Sequence, residues 1–300
     1  MNRMNNPEEK IVVITGATSG IGLATAGKMA GKGAIVIGVG RSSIRCGKAE
    51  SKIITEYPDA KVQYFVADLS SLKQVRELAE QIRDAIRNLG KNHIDVLVNN
   101  AGTFSNWYVS TPEGFELQFA VNHLASFLLT RKLLPLLEYS TAGKVITVSS
   151  GSHYRTRMHW KDVMMRRHYN CLSAYKQSKL ANVLFTKELN RRLGPDSTVR
   201  AYAVDPGLVN TDIGLKGTAG IVKWVWEKRK RKGTSAQIPA STITYLIENP
   251  DVHNSWHIYW KDCKPKAPSR YSQRDKEAIR LWELSEKMCG LSGNGFQFPV

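Results

Sequence analysis

Residues 10–22 read KIVVITGATSGIG, and this stretch decides the fold that we predict for the chain. Residues 10–15 are a mostly β-branched run without polar alternation, which is typical of a strand buried on both faces. Three glycines follow the run, and residues 21–32 then have a helical pattern. A second buried strand at 35–39 completes a strand-turn-helix-strand unit of about thirty residues. The unit predicts two parallel strands joined by a helix.

The same alternation of strands and helices continues along the chain. Further strands are predicted at 61–66, 94–98, 144–149 and 199–204, and helices at 71–89 (with a serine cap), 113–137 and 174–193. Such alternation indicates a parallel sheet with both faces covered. We therefore predict a single α/β domain over 1–300, a Rossmann-type doubly wound parallel sheet with helices on both faces. Its predicted parts are a core at 10–205, a less regular segment at 206–245 and a C-terminal extension at 246–300.

The glycine-rich turn after the first strand predicts a phosphate-binding loop. Gly16, Gly20 and Gly22 would allow a tight turn, close approach of a pyrophosphate to the backbone, and close packing of the helix on the sheet. The N-terminus of the following helix would direct free N–H groups at the phosphates. A purely structural turn is the alternative, because glycine turns are common. The strand before the loop and the helix after it favour dinucleotide binding.

The end of the second strand bears on the choice between NAD(H) and NADP(H). NAD-specific folds of this kind usually carry an acidic residue there, which binds the ribose diol. This chain has Gly38-Val39-Gly40-Arg41-Ser42 instead, without a carboxylate. The planar guanidinium of Arg41 could pair with a 2′-phosphate, so the sequence favours NADP(H). The alternative is that Arg41 is only a solvated loop charge.

A tyrosine and a lysine one helical turn apart predict an acid–base pair. Tyr175 and Lys179 are four residues apart in a predicted helix and therefore share a face. A phenol titrates near about pH 10, so a nearby cation would be needed to bring its pKa into a working range. Ser150 could hydrogen-bond a substrate carbonyl, and Asn122 could hold a water on a proton path. The alternative for a lone Tyr-x-x-x-Lys pair is a surface contact.

Composition narrows the class of protein. No stretch approaches the roughly 18 apolar residues of a membrane span, and residues 1–10 are short and polar. We therefore expect a cytoplasmic protein without a transmembrane segment or signal peptide. Four scattered cysteines predict reduced thiols, and the histidine spacing predicts no metal site. The net charge of +17 favours an anionic partner: a phosphorylated cofactor, a membrane surface or nucleic acid. Nucleic acid is disfavoured because the basic residues are dispersed and no reading motif occurs.

Several motifs, in this order, resemble the short-chain dehydrogenase/reductase family. They are the T-G-x-x-x-G-I-G loop, Asp68-Leu69, Asn99-Asn100-Ala101-Gly102, Asn122, Ser149-Ser150, Tyr175-x-x-Ser178-Lys179 and Pro206-Gly207, and they span residues 10–215. The stretch Ser178-Lys179-Leu180-Ala181-Asn182-Val183-Leu184-Phe185-Thr186 is similar, more narrowly, to the retinol dehydrogenase group. The resemblance implies an NADP(H)-dependent oxidoreductase.

The resemblance also implies a role for each motif residue. Tyr175 would be the catalytic acid/base, and Lys179 would lower its pKa and hold the nicotinamide ribose. Ser150 would orient the carbonyl, Asn122 would anchor the proton relay, and Asp68 would serve the adenine end. The residues expected to bind the cofactor are Gly16, Ser19, Gly20, Ile21, Gly22, Arg41, Asp68, Leu69, Asn99, Ala101, Gly102, Tyr175, Lys179, Pro206, Gly207, Val209 and Thr211.

The substrate implied by the resemblance is a small lipophilic carbonyl or alcohol: a retinoid, a steroid or another apolar aldehyde or ketone. The chain departs from the retinol group at Asp205, where a histidine is common, at Gly40, where a cysteine is usual, and in lacking an N-terminal membrane anchor. A catalytically idle NADP(H)-binding scaffold or sensor is the alternative function. It is disfavoured because both Tyr175 and Lys179 are present. The oligomeric state stays open, with a homodimer among the options.

Residues 221–232 combine an apolar run with a basic cluster. Trp224 and Trp226 precede the five cations Lys228-Arg229-Lys230-Arg231-Lys232. Aromatic side chains enter a membrane interface readily, and lysines favour anionic headgroups. The resemblance to the family implies that the region after the Pro-Gly turn, 206–245, is a lid over the substrate. The composition of 221–232 adds the hypothesis of peripheral contact with an anionic membrane, and a partner interface is the remaining alternative.

Overall fold

The computed structural model describes residues 9–209 and 234–291. Its strands are β1 (Ile11–Thr15), β2 (Ile35–Gly40), β3 (Val62–Val66), β4 (Val96–Asn99), β5 (Gly143–Val148), β6 (Val199–Val204), β7 (Tyr259–Lys261) and β8 (Lys264–Pro265). They form one sheet in the order β3-β2-β1-β4-β5-β6-β7-β8. All neighbouring pairs are parallel except β7 and β8, which are antiparallel. The predicted parallel α/β sheet is confirmed, with a short antiparallel edge in addition.

Helices connect these strands along the chain, and one further helix follows the last strand. They are α1 (Gly20–Ala30), α2 (Ser43–Glu56), α3 (Leu72–Asn88), α4 (Leu117–Phe119), α5 (Ala125–Glu138), α6 (Cys171–Leu193), α7 (Gln237–Glu248) and α8 (Asp275–Met288). A π-helical turn, Ala120–Leu124, joins α4 to α5. The predicted serine cap is confirmed, because the Ser71 hydroxyl accepts the backbone N–H of Gln74 at the start of α3.

Several elements differ from the prediction for local reasons. Helix α6 begins at Cys171, three residues earlier than predicted, because the Asn170 side chain caps it by accepting the N–H of Ser173. Helix α2 was not predicted, since only Cys46, Ala49 and Ile53 of its 14 residues are buried and its apolar signal is weak. The sequence analysis also did not assign α7, α8, β7 or β8.

Both faces of the sheet are buried, which explains the uninterrupted β-branched run of β1. Ile11 and Val13 belong to the core on the side of α3, α5, α6 and α8. Val12 and Ile14 belong to the opposite core, beneath α1 and α7. All four side chains are fully buried, and each burial stabilises the fold by about 1.5–3 kcal/mol. A polar residue at any of these positions would therefore face a core.

The strand order places a cleft at the carboxyl ends of the parallel strands. The chain runs outward from β1 through β2 to β3, then returns to the other side of β1 with β4. At such a reversal the connections after the strands diverge, and ligands bind in the crevice at the carboxyl ends. In this structure a cleft of about 970 Å³ lies there, lined by residues that follow β1 to β7.

The regions predicted beyond residue 205 are partly described. Thr211 and the segment 221–232 lie outside the described residues. Helix α7 packs on α1 and extends to Glu248. It therefore crosses the predicted boundary between the segment 206–245 and the C-terminal extension 246–300. The described part of the C-terminal extension supplies the β7–β8 hairpin and α8, which packs on α6. Across residues 9–209 and 234–291, no helix combines the length and hydropathy that a membrane span needs.

Candidate active site

The glycine loop after β1 forms one end of the cleft. Gly16 and Gly20 have positive φ angles of 66° and 56°, a conformation that favours glycine. A Cβ on Gly16 would lie 2.9 Å from the Cα of Ala101, so a side chain does not fit between the loop and the chain after β4. The N-cap residue of α1, Ser19, makes no side-chain hydrogen bond to the helix. The first N–H groups of α1 are thereby available to a ligand at the cleft, which fits a pyrophosphate.

The predicted loop residues separate into two groups. Gly16, Ser19, Gly20 and Ile21 line the cleft. Gly22 does not line it: the residue is buried, and a Cβ there would lie 2.3 Å from the carbonyl oxygen of Gly16. Gly22 therefore serves the close packing of α1 on the loop rather than direct contact with the cleft.

The chain after β4 reaches the cleft one residue later than predicted. Asn99 is buried, and its Nδ2 donates to Thr130 Oγ1 at 2.9 Å, away from the cleft. Asn100 lines the cleft instead, and its Nδ2 donates to the Thr15 carbonyl at 2.8 Å. Successive residues of an extended chain point to opposite sides, which accounts for the offset. Ala101 and Gly102 follow Asn100 along the cleft wall, as predicted.

Two arginines line the cleft beyond β2. Arg41 follows β2 directly, and Arg45 lies one turn further on, in α2. Both are exposed, and no acidic side chain occupies this strand end. Asp68 and Leu69, after β3, line the same region. Arg45 was not among the predicted site residues, because helix α2 itself was not predicted from the sequence.

The tyrosine and the second serine of the motif meet in the cleft. Tyr175 and Ser150 both line the cleft, and the interaction with Ser150 lowers the pKa of the Tyr175 hydroxyl. Ser150 follows Ser149 after the end of β5. Ser150 also accepts the N–H of Ser152 at 3.1 Å, which fixes its side chain. The Ser149 hydroxyl instead donates to the Lys179 carbonyl at 2.8 Å. Ser150 is therefore the serine that is placed beside the tyrosine.

Lys179 lies beneath the tyrosine and is held by the sheet. Its Nζ donates to the Val148 carbonyl at 3.0 Å and lies 5.8 Å from the centroid of the Tyr175 ring. Burial of the ammonium lowers the pKa of Lys179 to about 8. Asn182, one turn further along α6, donates to the same Val148 carbonyl at 3.2 Å.

The ionisation of the tyrosine is set mainly by its surroundings within the cleft. Burial raises the pKa of Tyr175 to about 12, the hydrogen bond from Ser150 opposes this shift, and the negative charge of Asp205 adds to it. The protein without a ligand therefore holds the hydroxyl protonated at neutral pH, which suits a proton donor.

Asn122 lies behind the cleft wall, in the π-helical turn. Its Oδ1 accepts the N–H of Thr103 at 2.7 Å, and its Nδ2 donates to the Thr103 carbonyl at 3.1 Å. Nδ2 also donates to Ser178 Oγ at 2.9 Å, on the helix that carries Tyr175. The residue is fully buried. Asn122 thus connects a cleft-lining loop to α6, while it does not itself reach the cleft.

The chain after β6 and the C-terminal hairpin close the other end of the cleft. Pro206, Gly207 and Val209 line it as predicted, together with Asp205, Lys261 and Lys266, which the sequence analysis did not place there. These last three come together only through the pairing of β6 with β7. Within the described residues, no group of three or more His, Cys, Asp or Glu side chains is placed to bind a metal.

A family model described as "short chain dehydrogenase" matches residues 10–219, and the chain belongs to this family of oxidoreductases, which act on CH–OH and carbonyl groups. Among curated proteins, retinol dehydrogenase 14 of Mus musculus is 36% identical over 300 residues, covering 94% of this chain and 86% of its own length. Retinol dehydrogenase 13 of Homo sapiens is 36% identical over 293 residues, covering 94% and 85%. The chain is therefore similar to retinol dehydrogenases over most of its length.

Solved structures show the same fold. An uncharacterized protein from Mycobacterium paratuberculosis has a TM-score of 0.74 and is 32% identical, with 97% of this chain and 96% of that one covered. A metagenomic short-chain oxidoreductase in complex with NADP (TM-score 0.62, 22% identical, coverage 84% and 96%) shares the fold. So does a family member from Burkholderia phymatum in complex with NAD (TM-score 0.66, 21% identical, coverage 85% and 89%). A nicotinamide cofactor accords with this family.

Proposed function

We propose that the chain is an NADP(H)-dependent oxidoreductase that interconverts a lipophilic aldehyde or ketone and its alcohol. The observation that carries the proposal is that Tyr175 and Ser150 line the same cleft as the glycine loop, with Lys179 beneath the Tyr175 ring. One end of the cleft thus suits a dinucleotide and the other suits a carbonyl oxygen. No other arrangement in the described residues joins these two properties.

The protein's residues have distinct roles in carbonyl reduction. NADPH supplies the hydride when it is bound. Ser150 and Tyr175 bind the carbonyl oxygen, which positions the carbonyl carbon at the cofactor end of the cleft. As the carbon–oxygen π bond breaks and a C–H bond forms, the Tyr175 hydroxyl gives its proton to the oxygen, and the alcohol results. Oxidation of the alcohol uses the same groups in reverse, with Tyr175 accepting the proton.

Lys179 and Asn122 act around this proton transfer. The Lys179 ammonium, 5.8 Å from the ring centroid, stabilises the phenolate that remains after the proton has left. Lys179 also faces the place for the nicotinamide ribose, which we propose it holds. Asn122 fixes Thr103 and Ser178, and in the proposal it anchors the relay that returns a proton to Tyr175.

The proposed preference for NADPH rests on the two arginines beyond β2. Arg41 and Arg45 both line the cleft where the adenosine half of a dinucleotide would lie, and they can bind a 2′-phosphate from two directions. Asp68 would bind the adenine end. The glycine loop, Ala101, Gly102, Pro206, Gly207 and Val209 would contact the rest of the cofactor.

The proposed lipophilic substrate is supported by two features. Leu172 and Leu208 line the same cleft as Tyr175 and remain 45% and 42% exposed, so an apolar substrate could cover them. The similar curated proteins carry the name retinol dehydrogenase. On sequence grounds we also retain contact of residues 221–232 with an anionic membrane, which would let the protein collect an apolar substrate from a bilayer.

A turnover assay tests the proposed function. Purified protein is mixed with NADPH and a panel of apolar aldehydes and ketones, and loss of NADPH absorbance is followed against a control without carbonyl. We expect turnover of at least one lipophilic carbonyl. The alternative, an idle NADP(H)-binding scaffold, predicts NADPH binding without turnover across the panel and in the reverse direction with the matching alcohols.

A further inference from the structure

A buried carboxylate joins the two loops at the substrate end of the cleft. Asp205 directly follows β6, and its side chain is only 3% exposed. Its Oδ1 accepts the N–H of Gly151 at 3.0 Å and the N–H of Gly207 at 3.1 Å. Gly151 follows Ser150, and Gly207 belongs to the turn after β6. One oxygen atom therefore fixes both loops relative to each other.

The second oxygen of this carboxylate is paired with a lysine from the C-terminal hairpin. Lys266 Nζ donates to Asp205 Oδ2 at 2.9 Å, and the same Nζ lies 5.1 Å from the ring centroid of Tyr154. The Tyr259 hydroxyl lies 3.4 Å from His153 Nδ1, and burial together with the negative charge of Asp205 raises the pKa of Tyr259. Because water hardly reaches the carboxylate, the ammonium of Lys266 is the cation that balances its charge. The lysine itself is 36% exposed.

The pair is close enough to Tyr175 to influence it. Burial raises the pKa of Asp205, but hydrogen bonds from Lys266, Gly207 and Gly151 outweigh burial, and the net pKa is lowered, so the carboxylate is charged at neutral pH. That charge raises the pKa of Tyr175. Because the Lys266 ammonium is paired with Asp205, it limits how far the Asp205 carboxylate raises the pKa of Tyr175.

Other charged or titratable groups surround this centre. Lys179 lies beneath Tyr175, and the pKa of His153 is lowered by burial, so that its ring is neutral at neutral pH. The remaining groups facing the cluster or the same part of the cleft are Tyr154, Tyr259, Lys176 and Lys261. Within residues 9–209 and 234–291, Lys266 is the ion-pair partner of Asp205.

We propose that Asp205 and Lys266 are positioning residues for the reaction: the carboxylate holds the Ser150–Gly151 and Pro206–Gly207 loops in register, and the lysine neutralises it beside Tyr175. The proposal rests on the proposed function, since it assigns the pair to a carbonyl reaction at Tyr175. It extends the active site to the β7–β8 hairpin, which lies beyond the residues 10–219 matched by the family model.

The charge part of the proposal is tested by the pH dependence of kcat/KM for alcohol oxidation at saturating NADP+. Oxidation needs ionised Tyr175, so activity rises as the pH rises through its pKa, and the positive nicotinamide of bound NADP+ would lower that pKa from its value in the free protein. Lys266→Met leaves the carboxylate unbalanced and is expected to move this inflection upward by about one pH unit. Asp205→Asn is expected to move the inflection downward. The double variant Asp205→Asn/Lys266→Met is expected to have an inflection between those of the two single variants. Lys266→Arg keeps the cation and is expected to retain the wild-type inflection.

The loop part is tested without turnover, by NADPH fluorescence on binding. Asp205→Ala removes the acceptor of the Gly151 and Gly207 N–H groups and is expected to weaken NADPH binding about tenfold, because the loosened loop must be ordered again when the cofactor binds. Asp205→Asn keeps an oxygen that can accept these hydrogen bonds, so it is expected to lose less NADPH affinity than Asp205→Ala. Lys264→Met, an exposed lysine on the same hairpin, is the matched control and is expected to bind like wild type.

The outcomes separate the two proposals. If wild type turns over a carbonyl and all variants share its inflection, the charge role is wrong while the enzyme function stands. If Asp205→Ala binds NADPH as tightly as Lys264→Met, the loop role is wrong. If wild type turns over no carbonyl or alcohol, the proposed function fails. If Lys266→Met does not fold, the charge role is tested by comparing wild type with Lys266→Arg and with the double variant Asp205→Asn/Lys266→Met, in which both charges are absent.

Discussion

The Lys179 ammonium lies 5.8 Å from the centre of the Tyr175 ring and donates to the Val148 carbonyl at 3.0 Å. The lysine is therefore anchored by a sheet strand while it faces the tyrosine from one helical turn below. This geometry separates two contributions to the proposed proton transfer. The phenol supplies the proton and the ammonium supplies a positive charge, and a substitution can remove either one alone.

Replacing Tyr175 with Phe is expected to lower kcat on the order of a hundredfold or more, because the variant lacks the proton donor. NADPH affinity should remain close to that of wild type, since the hydroxyl contributes little to holding the dinucleotide. Steady-state kinetics and NADPH fluorescence measure the two quantities. Tyr139→Phe, at a position 70% exposed, is the control. Activity within a few-fold of wild type would remove Tyr175 from the mechanism.

Replacing Lys179 with Ala is expected to reduce both kcat and NADPH affinity, because the proposal assigns the lysine two roles. The loss of kcat reflects the absent cation beside the phenolate, and the loss of affinity reflects the absent ribose contact. Lys187→Ala, on the same helix and paired at the surface with Asp275, is the control. Unchanged NADPH affinity in Lys179→Ala would contradict the ribose role alone.

The wild-type enzyme is expected to prefer NADPH over NADH by at least tenfold in kcat/KM. One charge-assisted hydrogen bond to a phosphate contributes about 1.5–3 kcal/mol, which is enough for this ratio. Arg41→Ala should lose most of the preference, and the Arg41→Ala/Arg45→Ala double variant should lose more. Lys48→Ala, exposed on α2, should keep it. A wild-type preference for NADH would contradict the assignment.

Acid is expected to destabilise the fold through a buried histidine. His123 Nε2 lies 2.8 Å from Ser285 Oγ, and burial lowers the pKa of His123 to about 3. The unfolded chain binds a proton below about pH 6.5, where the folded one does not, so stability is present above that pH and is lost below it. The loss amounts to about 1.4 kcal/mol per pH unit between pH 6.5 and 3.

The measurement is the free energy of unfolding, from denaturant titrations at several pH values across that window. His123→Asn is expected to have a lower stability at neutral pH, because it loses packing, but a shallower decline with acid. His168→Asn, at an exposed position, should decline as wild type does. Equal slopes for wild type and His123→Asn would show that another group controls the acid response.

Membrane contact by residues 221–232 is tested with vesicles. At low salt the protein should sediment with anionic vesicles and not with neutral ones, since each basic residue near a charged surface contributes about 1 kcal/mol. High salt should release it. A variant with Lys228-Arg229-Lys230-Arg231-Lys232 replaced by glutamines should remain in the supernatant. Equal sedimentation with both vesicle types would refute the electrostatic attraction and leave the enzyme assignment unaffected.

Local patterns in the sequence predicted much of this protein. The buried run of β1 and the glycines after it indicated the strand, the turn and the helix, because backbone freedom and two-sided burial are properties of neighbouring residues. The spacing of Tyr175 and Lys179 placed both on one face of α6, since the period of a helix fixes that relation. The alternation of strands and helices along the chain likewise predicted the parallel sheet.

The tertiary structure alone decided which side chains meet from distant parts of the chain. Asn100 rather than Asn99 faces the cleft because of where β4 ends beside the glycine loop. Asp205 and Lys266 are separated by 61 positions and become partners only because β7 pairs with β6. Hydrophobic and helical periodicities relate residues only a few positions apart, so they cannot predict a contact between residues this distant in the sequence. The charge beside Tyr175 therefore depends on the folded sheet, while the tyrosine and its lysine were already evident in the sequence.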